Sequence, residues 1–225
     1  MPHEMAMFAT SRPRVKICCI SNQREARMAI AYGASALGLV SEMPSGPGVI
    51  SEEMIAEIAS SVPPPIATFL LTCKEDAASI IAQQRRCRVN TIQICDRIAP
   101  QSYAVMREAM PGVSLVQVVH ITGPESVAEA VAVNDKVDAL LLDSGNQNLA
   151  VKELGGTGRT HNWQLSRMVV ESVHVPVFLA GGLNPNNVAQ AIEEVRPFGL
   201  DICSGVRSDG QLDEEKLKRF FANIA

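Results

Sequence analysis

Short runs dominated by valine, isoleucine and leucine recur along the chain, at Val15 to Cys18, Ala36 to Val40, Ile66 to Leu71, Thr91 to Ile94, Leu115 to Ile121, Ala139 to Asp143, Val177 to Ala180 and Leu200 to Ser204. They are apolar throughout rather than alternating, the pattern of strands buried on both faces and therefore of a parallel sheet. The segments between them have helical spacing. Ser21-Asn22-Gln23 leads into REARMAIAYG, where Ala26, Ala29 and Ile30 share one face and Gly33 stands at the expected stop. Ser51-Glu52-Glu53 gives MIAEIASSV a polar cap and an acidic first turn. Asn184-Pro185 reads as a cap followed by proline at the first helical position, and DEEKLKRF, with Leu217, Phe220 and Phe221 at helical spacing, reads as a final helix packed on the sheet.

Eight strand-then-helix units without a linker between them predict an α/β fold, a single (β/α)8 TIM barrel. A doubly wound open sheet is the rival, because periodicity alone does not show closure; eight regular units favour the barrel. The barrel is expected to occupy residues 1–225, with 1–14 as a flexible N-terminal extension. The length of 225 residues, with 47% hydrophobic and 20% charged residues, suits one such domain.

A net charge of -4 leaves no overall basic field for nucleic acid or anionic lipid, so a small-molecule partner is expected. The six cysteines, with Cys18 and Cys19 adjacent, show neither a disulfide framework nor a CxxC pair for zinc, and free thiols in a reducing cytosol are the simplest reading. The start, MPHEMAMFATSRPR, has no charged-then-apolar leader, and no run reaches the length of a membrane helix. The expectation is a cytoplasmic protein with no membrane partner; nothing in the sequence separates a monomer from a homodimer.

A barrel carries its chemistry where strands end and the next loops begin. Those positions hold Cys18, the loop Ser41 to Gly48, Cys95, Asp143, and three glycine-rich loops: Gly155-Gly156-Thr157-Gly158, Ala180-Gly181-Gly182 and Ser204-Gly205-Val206. Glycines let backbone N–H groups approach an anion, and the loops after strands seven and eight are a common phosphate site in barrels. Gly156, Thr157, Gly158, Gly181, Gly182, Ser204 and Gly205 are therefore expected to hold the phosphate of a phosphorylated ligand. The bland reading is tight turns, which would suffice for one GG pair; three consecutive loops favour the phosphate.

Val15-Lys16-Ile17-Cys18, Gly33-Ala34, the GGTG of Gly155 to Gly158 with Trp163 after it, PVFLAGGLNPNNV from Pro176 to Val188, and Asp201 with Ser204-Gly205-Val206 together resemble phosphoribosylanthranilate isomerase. The resemblance runs from about Val15 to the final helix. It implies a barrel that performs an Amadori rearrangement in tryptophan biosynthesis, an aldose-ketose isomerisation, without metal or cofactor. It further implies Cys18 as the base that takes the proton from C2 and Asp143 as the acid that opens the ribose ring. Lys16, Gln93 and Asp201 fall at positions expected to serve the substrate. A cysteine in an apolar strand is commonly a small buried hydrophobe, and an aspartate at a strand end a turn former. Their joint occurrence in register with the phosphate loops favours chemistry.

Three departures stand out. The family's second-strand loop carries an arginine that meets the anthranilate carboxylate, whereas SEMPSGPG, Ser41 to Gly48, has none; Arg97 is the candidate replacement. Cys95 stands for a histidine of the fourth strand, with Asp96 after it, and Cys19 for a glycine that follows the catalytic cysteine. The alternative reading is a paralogue acting on another phosphorylated metabolite, and a non-enzymatic reading is a phosphate-ligand sensor, which would need neither Cys18 nor Asp143. His120 and His174 read as structural, His161 as solvent-facing at a helix start, Trp163 as packing, and Arg159 as reaching either phosphate or solvent.

Overall fold

A computed structural model describes residues 12–224. Eight parallel strands, β1 (Arg14–Ile17), β2 (Ala36–Val40), β3 (Ala67–Thr72), β4 (Thr91–Ile94), β5 (Ser114–His120), β6 (Ala139–Asp143), β7 (Val177–Leu179) and β8 (Gly199–Ile202), close into a barrel in chain order. Helices α1 (Gln23–Tyr32), α2 (Glu52–Ser61), α3 (Ala77–Cys87), α4 (Pro100–Ala109), α5 (Glu125–Val133), α6 (Trp163–Ser172), α7 (Val188–Val195) and α8 (Glu214–Ala222) follow the strands in turn. A small antiparallel pair, β9 (Arg207–Ser208) and β10 (Gln211–Leu212), lies between β8 and α8. No helix among the described residues is long and apolar enough to cross a membrane.

The apolar strands do what their composition requires. Leu37, Leu39, Leu70, Ile92, Leu140, Leu142, Leu179 and Leu200 face outward into the core shared with the helices, while Val40, Phe69, Leu71, Val116, Val118, Leu141 and Phe178 fill the barrel interior. The caps follow the sequence signals: Asn22 and Ser51 accept from backbone N–H groups of α1 and α2, and Gly33 ends α1 with φ 110. Gly33 takes this left-handed conformation while its N–H reaches the carbonyls of Ala29 and Ile30. Asp213 caps α8, which buries Leu217, Phe220 and Phe221 as expected.

Two boundaries differ from expectation. Asn184-Pro185 does not open α7. The Asn184 side chain accepts from the Asn186 N–H, and Asn187 Oδ1 accepts from the Asn184 N–H at 2.8 Å, so these asparagines form a turn of their own and the helix begins at Val188. Most of the extension expected over 1–14 lies outside the described residues; Arg14, its last member, already belongs to β1 and pairs with Gly199.

Closure of β1 onto β8 sets Lys16 opposite Asp201 and Ile17 opposite Ile202. Both charged side chains point into the barrel, where Lys16 Nζ donates to Asp201 Oδ1 at 2.8 Å with Lys16 wholly buried. Burial opposes the ammonium charge, but Asp201 and the thiols of Cys18 and Cys19 more than offset this and raise the lysine's pKa. Gly38 makes room for the arrangement, since a Cβ there would stand 2.7 Å from Cys18 Sγ and 3.0 Å from Lys16 Nζ. Removing one partner of a buried pair strands the other charge: Lys16→Met should lower unfolding free energy by about 3–5 kcal/mol. The Lys16→Met/Asp201→Leu double substitution should recover much of that loss, both measured by denaturant melts.

Candidate active site

The C-terminal ends of the strands open into a pocket. Cys18 and Cys19 after β1, Gln93 on β4, Asp143 ending β6 and Asp201 on β8 meet there with all three glycine-rich loops. Six of the seven expected phosphate positions, Gly156, Thr157, Gly158, Gly181, Gly182 and Ser204, line it. Gly205 serves the wall differently: a Cβ there would lie 2.0 Å from the Leu183 carbonyl oxygen, so its glycine lets the β8 loop pack directly on the β7 loop. Gly182, with φ +63 and a Cβ position 2.7 Å from the Arg159 carbonyl carbon, joins the β7 loop to the β6 loop in the same way.

Cys18 continues the β1 ladder, its N–H donating to the Ile202 carbonyl at 2.8 Å. Asp143 stands three strands away round the barrel. Its Oδ1 accepts from the Ser144 N–H at 2.7 Å, and Ser144 Oγ in turn meets Thr157 Oγ1 at 2.6 Å, fixing the carboxyl to the GGTG loop. Its Oδ2 is 2.9 Å from where a Cβ on Gly155 would sit, which requires glycine there. Burial pushes the Asp143 pKa up, partly opposed by the Ser144 N–H, so the group holds a proton more readily than an ordinary carboxyl. Gln93 Oε1, buried beside the pocket, has no hydrogen-bond partner among the described residues.

Other expected site residues lie elsewhere. Arg97 is not in the pocket: its guanidinium makes a two-pronged pair with Glu129, at 3.1 and 2.8 Å, on the exposed side of α5. Lys16 lies beneath the pocket, committed to Asp201. Arg159 turns outward to Glu153. His161 does not face solvent: its Nε2 meets Ser166 Oγ at 2.7 Å, and burial pushes its pKa down to about 4, keeping the ring neutral. His120, at the end of β5, meets the Cys95 carbonyl, a structural role as expected, and Cys95 is wholly buried.

The profile of the family described as N-(5'phosphoribosyl)anthranilate (PRA) isomerase matches residues 15–223. The chain belongs to that family. An N-(5'-phosphoribosyl)anthranilate isomerase of Methanocella arvoryzae is 32% identical over 208 residues, covering 92% of this chain and 95% of that one. One from Methanosarcina mazei is 34% identical over 209 residues, with 92% of each chain covered. Among solved structures, the phosphoribosyl anthranilate isomerase of Thermotoga maritima superposes with a TM-score of 0.81 at 28% identity, covering 94% of this chain and 98% of that chain. A phosphoribosyl anthranilate isomerase in complex with reduced 1-(o-carboxyphenylamino)-1-deoxyribulose 5-phosphate superposes with a TM-score of 0.76 at 26% identity, covering 94% and 98%.

Two of the departures meet in the structure. Cys19, where the resemblance implies glycine, has a backbone φ of 62, the left-handed conformation that favours glycine. Gly48, in the loop that lacks the arginine, has φ +83, and a Cβ there would lie 2.5 Å from Cys19 Cβ. The side chain gained at 19 occupies the space a side chain at 48 would need. Met43 and Ser45, within the Ser41 to Gly48 loop singled out from the sequence, line the pocket; residues that sequence reasoning missed include Leu154, which also lines it, and Arg207, whose buried guanidinium holds the carbonyls of Cys18 and Cys19. Arg207 follows the SGV motif directly, the one signal that pointed to it.

The mutual exclusion is testable. Gly48→Ala should cost about 1–3 kcal/mol of stability, from its positive φ and the collision with Cys19. In a Cys19→Gly background the Cβ and Sγ contacts are gone and the φ strain and a 3.0 Å approach to the residue-19 Cα remain, so the cost should fall in a double-mutant cycle of denaturant melts.

Proposed function

We propose that this chain isomerises N-(5'-phosphoribosyl)anthranilate to 1-(2-carboxyphenylamino)-1-deoxyribulose 5-phosphate, the step that family membership implies in tryptophan biosynthesis. The observation that carries the reading is the convergence on one pocket of a thiol ending β1, a proton-holding carboxyl ending β6 and three glycine-rich loops. Asp143 gives its proton to the ribose ring oxygen, the C1–O bond breaks, and the nitrogen lone pair forms the C1=N bond of a Schiff base. Cys18, as thiolate, takes the proton from C2; the electron pair moves into a C1–C2 double bond, and the resulting enol-amine tautomerises to the ketose. Burial, which raises the Asp143 pKa, suits the acid's task. The β6, β7 and β8 loops hold the phosphate through backbone N–H groups, and Gln93 Oε1 offers an acceptor to the sugar.

A second reading, a paralogue acting on another phosphorylated metabolite, is favoured by one observation. Among the described residues lining the pocket there is no lysine, arginine or histidine to meet an anthranilate carboxylate. The test is turnover of N-(5'-phosphoribosyl)anthranilate, generated in situ and followed by the loss of its fluorescence. The native protein should turn it over, and Cys18→Ala and Asp143→Asn should each reduce kcat by about 100-fold or more while leaving the fold intact by circular dichroism. A folded native protein without turnover that still binds sugar phosphates would establish the second reading.

A further inference from the structure

The thiols at the mouth of the pocket are not all used by this chemistry. Cys18, Cys19 and Cys203 all line it. Cys203 follows β8 directly, and the β1–β8 register that sets Ile17 opposite Ile202 brings its side chain against that of Cys19. The two sulfurs are 2.6 Å apart, in hydrogen-bond contact, and both cysteines are free. The buried guanidinium of Arg207 donates to the carbonyls of both Cys18 and Cys19, anchored from behind by Glu25 at 3.0 Å through each nitrogen. It fixes the backbone that presents Cys19 and places a permanent positive charge by the pair.

We propose that Cys19 and Cys203 form an oxidation site, a dithiol that a low-molecular-weight disulfide converts to a Cys19–Cys203 disulfide, joining the end of β1 to the end of β8 beside Cys18. The Cys203 thiolate attacks one sulfur of the small disulfide, breaking its S–S bond and expelling one thiolate, which takes up a proton. Cys19 loses its proton to solvent and attacks the Cys203 sulfur of the mixed disulfide, expelling the second thiolate. Two protein thiols are oxidised, one small disulfide is reduced to two thiols, and excess reductant reverses the exchange.

The assignment of roles follows the surroundings. The hydrogen bond with Cys19 holds the Cys203 thiol below its ordinary pKa against the effect of burial, and Arg207 adds to this; Cys19 is pushed up, first by its hydrogen bond with Cys18 and then by that with Cys203. Cys203 is therefore the attacking sulfur and Cys19 the resolving one. Among the described residues no cluster of three or more His, Cys, Asp or Glu side chains has metal-holding geometry, which leaves exchange rather than metal capture as the chemistry of the pair.

The test is chemical and needs no turnover, so it stands apart from the proposed reaction. The full chain is equilibrated in buffers of rising oxidised-to-reduced glutathione ratio, acid-quenched, denatured, alkylated and digested, and disulfide-linked peptides are mapped without reduction. The expected result is the loss of two alkylatable thiols and a linked pair that fragmentation assigns to Cys19 and Cys203, with Cys18 alkylated and both thiols recovered on adding dithiothreitol. Cys203→Ser and Cys19→Gly should each abolish the link, and Cys18→Ser should retain it. Six alkylatable thiols at the most oxidising ratio would overturn the proposal, as would a link through Cys18 or one that survives Cys19→Gly.

Discussion

Closure of the first strand onto the eighth is the constraint on which the rest of the molecule depends. Without it the sheet has two edges, and the two ends of the chain have no fixed relation. With it, Lys16 and Asp201 meet inside the barrel as a buried ion pair that opposes slippage, because a slip of either strand by one residue would turn its own charge outward into the helix-facing core and leave the other unpaired. The same register puts Cys18 next to the β8 loop, so the proposed base and the phosphate wall are placed by a single pairing. Gly38 is the concession the interior makes, giving up its side chain to the sulfur of Cys18 and the ammonium of Lys16.

The two groups proposed to transfer protons are then distinguished by surroundings rather than by residue type alone. Asp143 is tied at one oxygen to Ser144 and the GGTG loop and has its pKa raised by burial, while Cys18 lies above a fixed ammonium and among other thiols. The loops that bound the pocket are held by close backbone approaches: Gly156 against Pro47, Gly182 against Arg159 and Gly205 against Leu183. Glycine in these loops serves loop-to-loop packing, so the tight-packing reading holds at these positions, and the anion-holding role stands beside it as a proposal.

Much of this was legible in the chain, for physical reasons. Strands buried on both faces write themselves as uninterrupted apolar runs, and the expected strand Thr91 to Ile94 and β6 through Asp143 carry the observed boundaries. Caps such as Ser51 and Gly33 act locally and were readable for that reason. Asn184 was misplaced because its side chain has two competing uses, a helix cap and a turn, and neighbouring asparagines decided between them. Arg97 was misplaced because the direction of a long side chain is set by a partner distant in sequence, Glu129, and His161 because its ring turns back onto Ser166 in the helix that follows. The Cys19–Gly48 exchange and the Cys19–Cys203 contact were invisible for the same reason, since each joins segments brought together only by the closed barrel.

The central claim, that barrel closure sets acid, base and phosphate wall around one ligand, is tested most directly by a crystal structure of this protein with a reduced, non-reactive analogue of the 1-deoxyribulose 5-phosphate product. The account predicts the phosphate against backbone N–H groups of the β6, β7 and β8 loops, with Cys18 Sγ and Asp143 Oδ2 each in contact with the sugar chain. A phosphate bound on another face, or a sugar chain beyond the reach of either side chain, would contradict it.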